Sequence, residues 1–473
     1  MISDLALAPA SARSASALWS ASALAEATGG TASTDFAVDG VTFDSREVGP
    51  GDLFIALKGE ATDGHCFVDQ AFAQGAAAAV VSAPIKHPHI LVDDTMTALE
   101  SIARAARART TAQFIGVTGS VGKTGTKEML FSALDRPMPG CAHRSVKSYN
   151  NHTGVPLSLA RMPQAASVGV FELGMNHAGE LSRLTQFVRP HVAIITTVAS
   201  VHLEFFADEA GIADAKAEVF EGLVPGGTAI IPFDNVHRER LIAAARAHAA
   251  AIVTFGLGEG ADVRALETMR TPSGGTFVSA RLQGRELGFS IAQPGAHLVS
   301  NALAVLAAVE VVGGDVAIAG LALAEMDGLP GRGARFLMTL PGGGSALIID
   351  ESYNANPTSM RATLRVLATE PIARKIAVLG EMGELGGDSP AMHASLADAV
   401  TDAGVGLAIL VGGGMEALAN ALEGRCNFVH VADATAAQRQ LIAVIHPDDV
   451  VLIKGSKFVG LSAMVAALAG RKA

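Results

Sequence analysis

The 473-residue chain carries a formal net charge of −11, is 49% hydrophobic and holds three cysteines. Its length suggests about three domains, each able to bury a core, and its acidic balance argues against nucleic acid as the main partner. The apolar residues are dispersed, without the run of roughly 18 to 20 that a membrane span needs, and Cys66, Cys141 and Cys426 lack disulfide or metal-ligand spacing, as reduced thiols in a cytoplasm do.

Residues 1–110 read as a small α/β domain. Met1-Ile2-Ser3-Asp4 has no basic stretch before an apolar run, so no secretory signal is expected. Leu53 to Leu57 is a predicted buried strand after the turn Gly49-Pro50-Gly51-Asp52. Ser45 and Arg46 end the strand before it; Arg46 is either an anion contact or a solvated surface arginine. Thr95 to Arg109 has helical period.

Residues 111–328 alternate strands with helices, the pattern of a doubly wound sheet. Phe114 to Val117 is a short apolar strand, and Thr118-Gly119-Ser120-Val121-Gly122-Lys123-Thr124 follows it into a helix that opens at Lys123. This is the context of a phosphate loop: glycines bring bare N–H groups to phosphate oxygens, the helix N-terminus adds its dipole, Lys123 reaches the outer phosphates and the Thr124 hydroxyl ligates Mg²⁺. Val117 stands where the general loop has its first glycine. Val168 to Glu172 is a strand ending in a carboxylate, and His191 to Val198 is a strand with His202 just beyond it. Glu172 and His202 thus sit at strand ends, where open α/β sheets bind ligands. Asn150-Asn151-His152-Thr153 is a polar loop leading into a helix. A helix over Ile212 to Gly222 carries Lys216, whose simplest role is an ion pair with Glu204 or Asp214. His297 and Asn301 share a helix face at i, i+4, either as ligand contacts or as a satisfied helix start.

Residues 329–473 begin at the Pro/Gly-marked boundary Leu329-Pro330-Gly331-Arg332-Gly333. Five apolar strands alternate with helices: Ala346–Ile349, Lys375–Leu379, Leu407–Val411, Phe428–Val431 and Val450–Ile453. The segment is Rossmann-like but lacks Gly-x-Gly-x-x-Gly. Three polar strand ends look like one site: Asp350-Glu351-Ser352-Tyr353-Asn354-Ala355-Asn356-Pro357, Gly380-Glu381-Met382-Gly383-Glu384, and Lys454-Gly455-Ser456-Lys457.

Together these stretches resemble the Mur ligase family, the ATP-dependent amide-forming enzymes of peptidoglycan synthesis, over nearly the whole chain. In that resemblance Thr118 to Thr124 is the ATP loop in a short form that lacks the earlier glycine, which accounts for Val117. Glu172 and His202 match the Mg²⁺-associated pair, and Lys216 matches a lysine carbamylated in several members. Asn301 would contact adenine, Asp350 would join the nucleotide site and Arg332 would approach the phosphates. Ser45 and Arg46 resemble the segment that holds the UDP-sugar. The third-domain stretches resemble the member that joins D-alanyl-D-alanine to a UDP-N-acetylmuramoyl-tripeptide, with Asn354 and Asn356 facing the dipeptide. The Asp-Asn-Pro-Arg signature of the diaminopimelate-adding member is absent. Glu351 stands where a second Asp is common, Lys457 where Arg is usual, and Ser462 where an acid often appears.

The resemblance implies three α/β domains: a UDP-sugar domain over 1–110, a central P-loop ATPase domain over 111–328 and a C-terminal amine-substrate domain over 329–473. It implies ATP and two Mg²⁺ ions, with Lys123, Lys216, His202 and Arg332 catalytic and Thr124, Glu172, His202 and carbamylated Lys216 at metal. The substrates are small molecules, with no nucleic acid and no membrane span, and the protein is expected to act as a cytoplasmic monomer. A folylpolyglutamate synthase is the competing ligase, disfavoured by the amino-terminal segment. A P-loop GTPase switch is disfavoured because no Asn-Lys-x-Asp occurs.

Overall fold

The computed structural model describes residues 17–59, 62–201, 204–340, 342–372 and 374–470. The chain forms two compact units, Met1–Thr110 with Pro156–Ala165, and Thr111–Val155 with Ala166–Ala473.

In the first unit, strands Thr31–Ala32 (β1), Gly40–Thr42 (β2), Asp52–Ile55 (β3), Ala78–Val81 (β4) and His89–Leu91 (β5) form a sheet in the order β1-β5-β4-β3-β2. All pairs are parallel except β1–β5. The expected strand at Leu53 to Leu57 ends at Ile55. Helix Thr95–Ala108 (α1) starts where the Asp94 carboxylate accepts from Thr97 N at 2.6 Å. Its buried face is Ala98, Leu99, Ile102, Ala103 and Ala106, one stripe of a 3.6-residue period. Arg109, just past the helix, lies 3.5 Å over the Trp19 ring. It donates to Leu18 O at 2.8 Å and Met162 O at 3.1 Å, and Trp19 Nε1 donates to Ala160 O at 2.9 Å. Burial lowers the Arg109 pKa to about 10, so the guanidinium stays charged at neutral pH. These bonds tie residues 156–165 into the first unit.

The second unit holds two sheets. The larger has nine strands: Gln113–Thr118 (β6), Ala142–Arg144 (β7), Val168–Glu172 (β8), Val192–Ile195 (β9), Thr228–Pro232 (β10), Ala251–Gly256 (β11), Val263–Arg270 (β12), Thr276–Leu282 (β13) and Arg285–Ile291 (β14). Their order is β14-β13-β12-β11-β10-β9-β6-β8-β7. Strands β6, β8, β9 and β10 are buried almost throughout, as parallel strands covered on both faces must be. Phe114 and Phe171 stack across β6 and β8 with centroids 5.5 Å apart. Because β8 lies on one side of β6 and β9 on the other, the strand order reverses at the C-terminal end of β6. That crevice is where doubly wound sheets bind ligands. Helices Lys123–Asp135 (α2), Glu209–Ala217 (α3) and Ala296–Val311 (α4) follow. Helix α4 is apolar on every side and buried from Asn301 to Val309, packing on α2. Strands β12 to β14 form an antiparallel extension that the sequence reading did not resolve. The expected strand at His191 to Val198 is confined to β9, because Thr196 turns away to brace the loop after β6. The helix expected at Ile212 to Gly222 begins earlier, at Glu209, where Asp208 accepts from Gly211 N at 2.8 Å, and its last part is a 3₁₀ turn.

The smaller sheet comprises Ala334–Thr339 (β15), Ser345–Glu351 (β16), Lys375–Gly380 (β17), Val405–Val411 (β18), Phe428–Val431 (β19) and Val450–Lys454 (β20). Its order is β15-β16-β20-β17-β18-β19. The five expected strands are all present; β15 is an added antiparallel edge with little buried surface, so its sequence has no strong apolar alternation. The register pairs Glu351 and Leu379 with Lys454, which brings three strand ends to one level. Helix Pro357–Ala368 (α5) follows β16, with Asn356 as its cap and Pro357 at its first position.

Arg109→Ala should leave the Leu18 and Met162 carbonyls unpaired and cost the first unit about 2–3 kcal/mol. Urea unfolding followed by Trp19, the sole tryptophan, reads that unit selectively. An unchanged midpoint would show that Arg109 does not hold the 156–165 segment.

Candidate active site

The loop after β6 is built around two glycines. Gly119 has φ +144°, and a Cβ there would strike the Thr196 hydroxyl, so no other residue fits. Thr196 Oγ1 donates to Val121 O at 2.6 Å, Ser120 N donates to Thr197 O at 2.8 Å and Ser120 Oγ to Ala199 O at 3.0 Å. The chain leaving β9 therefore braces the loop. Gly122 has φ +91°, and a Cβ there would sit 2.9 Å from the Asn301 amide. That places Asn301 of α4 directly against the turn. Lys123 Nζ folds back onto Gly119 O at 2.6 Å. Burial lowers the Lys123 pKa; Glu172 opposes that, Arg332 adds to it and Glu384 opposes it. Thr118 is buried behind the loop, its hydroxyl without a partner among the described residues.

Glu172, at the end of β8, is 1% exposed. Its Oε2 accepts from Thr124 Oγ1 at 2.9 Å, and its Oε1 accepts from Asn150 Nδ2 at 2.7 Å. An alcohol and a carboxylate at hydrogen-bond distance are the oxygen donors that Mg²⁺ takes from a protein when phosphates and waters complete its octahedron. The donor set fits Mg²⁺, and among the described residues no cluster of three His, Cys, Asp or Glu offers a softer alternative. His202 lies outside the described residues. Lys216 on α3 is 1% exposed. Asp214, one of its expected partners, pairs instead with Arg240 at 2.9 Å. No hydrogen-bond or ion-pair partner among the described residues meets Lys216 Nζ. Burial pushes its pKa well below the lysine range, and the Lys123 charge adds to the shift.

The smaller sheet supplies the opposite wall. Arg332 stacks 4.1 Å over the Tyr353 ring and reaches Ser148 Oγ at 3.4 Å. Asp350 shapes that turn from beneath: its carboxylate accepts from Gly331 N at 2.6 Å, Ser352 N at 3.1 Å and Ser352 Oγ at 2.6 Å. It is spent on that turn, and Glu351 beside it faces the cavity. Lys454 Nζ lies 3.6 Å from Glu351 Oε2 and donates to Asn354 O at 2.8 Å. Burial raises the Glu351 pKa and lowers that of Lys454, and their mutual attraction opposes both shifts. Ser462 pairs with Ser352, Oγ to Oγ at 3.1 Å. Asn354 Oδ1 accepts from Ala355 N, and Asn356 Oδ1 caps α5 by accepting from Ser359 N at 2.9 Å. Both asparagines line the cavity, as does His297, whose pKa burial lowers to about 4, with Lys454 and Arg365 adding to the shift.

One cavity of about 810 Å³ collects Lys123, Thr124, Glu172, Asn301, Arg332 and Lys454. Sequence reasoning left Tyr353, Lys454 and Asn150 without individual roles, although each stood in a polar run at a strand end or loop. In the first unit Ser45 is buried with its Oγ 3.4 Å from Gln70 Oε1, while Arg46 is exposed and paired with Asp44 at 2.6 Å. Among the described residues no helix is long and apolar enough to cross a membrane.

Comparison with known proteins agrees with this geometry. Residues 37–107 match the Mur ligase family catalytic domain, 117–309 the Mur ligase middle domain and 337–457 the Mur ligase glutamate ligase domain. The chain is 34% identical to the UDP-N-acetylmuramoyl-tripeptide–D-alanyl-D-alanine ligase of Escherichia coli over 441 residues, 92% of this chain and 94% of the relative. A crystal structure of MurF from Acinetobacter baumannii superposes with a TM-score of 0.83 at 32% identity, covering 96% of this chain and 99% of that one. MurF from Thermotoga maritima in complex with ADP gives 0.74 at 25% identity, covering 92% and 98%. The three family domains follow one another along most of the sequence that builds this site, and the chain belongs to the Mur ligase family.

Proposed function

We propose that this protein uses ATP to join D-alanyl-D-alanine to a UDP-N-acetylmuramoyl-tripeptide, forming ADP and phosphate. The observation that carries the reading is the meeting of the phosphate loop, Glu172 and the Arg332–Lys454 wall on one cavity. The similarity to the E. coli ligase along most of both chains selects the substrates. We assign residues 1–110 to the UDP-sugar, with Ser45 and Arg46 as contacts, 111–328 to ATP and 329–473 to the amine. ATP and a UDP-linked precursor are cytoplasmic metabolites, so the reaction is assigned there.

A carboxylate is a poor electrophile. Its oxygen takes the γ-phosphoryl group of ATP, releasing ADP and leaving an acyl phosphate. The dipeptide amine then attacks the acyl carbon, loses a proton, and phosphate departs from the tetrahedral intermediate. Phosphoryl transfer depends mainly on positioning and on neutralising oxygen charge. Lys123 leaves Gly119 O for the β- and γ-phosphates, and Arg332 approaches from the opposite wall. Thr124 and Glu172, with His202, would hold one Mg²⁺, which would screen the phosphate charge, and a carbamylated Lys216 would offer a carboxylate to a second. Asn301, packed against Gly122, is placed for the adenine side. Asn354 and Asn356 present amide groups to the dipeptide.

Lys216 is the group whose chemistry changes most. Burial and the Lys123 charge hold the Lys216 pKa well below the lysine range, which raises the share of free amine, the form that reacts with CO₂. A new N–C bond forms, a proton is released, and the carbamate anion removes a cation that would repel Lys123 and metal. Incubation with ¹³C-bicarbonate should give a protein-bound carbonyl resonance that is missing in Lys216→Ala, whose turnover should collapse. A labelled spectrum identical for the two proteins would refute the carbamate.

Lys123→Ala should fold normally and lower kcat by about 100-fold or more. ADP release at saturating ATP reads this, and near-normal turnover would remove Lys123 from the phosphate site. Acceptor choice tests the function itself. With UDP-N-acetylmuramoyl-tripeptide present, ADP release should depend on D-alanyl-D-alanine, with diaminopimelate, lysine and glutamate far slower. Faster turnover with diaminopimelate on the dipeptide precursor, or with glutamate on a folate, would move the protein to another ligase class.

A further inference from the structure

A second lysine on α2 has no part in the account so far. Lys127 lies one turn beyond Lys123 on the same helix face, and its side chain is fully buried. Its ammonium sits beneath the carboxylate at the centre of the site. Nζ donates to Ser145 O at 2.9 Å and to Lys147 O at 2.6 Å, and pairs with Glu128 Oε1 at 2.9 Å. Glu172 Oε2 stands 4.0 Å away. An ammonium has three protons, and all three are taken by groups other than Glu172.

The segment that Lys127 grips also builds the surroundings of Glu172. Ser145 Oγ accepts from Glu172 N at 3.2 Å, and Ser145 N donates to Val170 O at 3.0 Å, so the segment continues along β8. Lys147 has φ +54°, the left-handed region, which an L-residue other than Gly, Asn or Asp adopts only when its surroundings hold it there. The Lys127 bond to its carbonyl is one such restraint. Beyond that bend, Ser148 meets Arg332 and Asn150 holds Glu172 Oε1. Glu128 is held from its other side by Arg144 at 2.8 Å. The result is a chain of fixed charges, Arg144–Glu128–Lys127, that ends next to the carboxylate.

We propose that Lys127 is a positioning residue for metal binding: by clamping residues 145–147 it sets the Asn150 and Ser145 bonds that orient Glu172, while Glu128 keeps its protons off Glu172 Oε2. This rests on the reading of Glu172 as a Mg²⁺ ligand. A lysine that only filled the core would need one acidic partner and would not have to meet the two carbonyls flanking the bend. Removing the clamp frees the loop. Removing the Glu128 charge weakens its hold on one Lys127 proton, which is then drawn towards the remaining carboxylate, Glu172 Oε2, the oxygen shared with Thr124. Both changes should weaken metal more than nucleotide, because the nucleotide without metal rests on the glycine loop and Asn301.

The test measures Mn²⁺ bound to the ADP complex by electron paramagnetic resonance, and ADP affinity without metal by calorimetry. Lys127→Met and Glu128→Gln are compared with the unmodified chain. Glu128 lies towards the surface and its amide variant keeps the helix, so it serves should Lys127→Met fail to fold. Each variant should lose about tenfold or more in Mn²⁺ affinity, the size expected when a ligand loses its orienting partner, with metal-free ADP affinity within about twofold. Mn²⁺ affinity unchanged in Glu128→Gln and in any folded Lys127→Met, or lost in step with metal-free ADP affinity, would overturn the role of Lys127. An unmodified protein that binds ADP alike with and without Mn²⁺ would instead overturn the metal reading of Glu172.

Discussion

A carboxylate that is 1% exposed must be surrounded by donors or positive charge, because an isolated buried charge costs far more than a fold can supply. Glu172 meets that requirement with Thr124 on one oxygen, Asn150 on the other and Lys127 behind. Two of these partners come from α2 and one from the 145–150 segment, so satisfying one carboxylate fixes the relation of α2, that segment and β8. The phosphate loop inherits its position from the same arrangement, since Thr124 is the second residue of α2. Moving Glu172 would therefore disturb the loop, the helix and the segment that reaches Arg332.

Lys123 and Lys454, by contrast, line the cavity with fewer anionic partners than their number requires, and Lys216 is buried elsewhere in the same unit. Lys123 rests on a backbone carbonyl, Lys216 has no partner among the described residues, and Lys454 shares Glu351 with the nearby Arg332. Burial lowers the pKa of all three lysines. A site that concentrates positive charge in a dry cleft is destabilised until an anion arrives, and a triphosphate or an acyl phosphate is such an anion. The protein's net charge of −11 makes the local concentration more telling, because the global field does not favour these ligands.

Both sheets of the second unit use the same rule. Parallel strands covered on both faces leave only their ends for polar chemistry, and ligands gather at the C-terminal ends. In the larger sheet the ends of β6, β8 and β9 carry the loop, Glu172 and the bracing Thr196. In the smaller sheet β16 and β20 end in register at Glu351 and Lys454. The antiparallel extension β12–β14 and the edge strand β15 add no residue of the chemistry described above. They follow weaker amphipathic patterns, and the sequence reading passed over them.

What the sequence determined by itself was local. Thr118 to Thr124 prescribes a strand–loop–helix turn because glycine alone tolerates the backbone at positions 119 and 122, and the apolar runs prescribe buried strands whose polar ends carry the site. Lys123, Thr124 and Glu172 were legible from that punctuation, Arg332, Asn301, Asn354 and Asn356 from the resemblance to the family, and all line one cavity. The tertiary structure alone decided how their side chains are used. Asp350 looked like a ligand and is consumed by the Gly331–Ser352 turn, while its neighbour Glu351 faces the cavity. Lys216 looked ready for an ion pair with Glu204 or Asp214, but it is buried and Asp214 on the same helix pairs with Arg240. Lys127 resembled any helical lysine until residues 145–147, remote in sequence, closed over it. Sequence spacing conveys which residues share a strand end or a helix face, but burial and charge pairing depend on segments that meet only when the chain is folded.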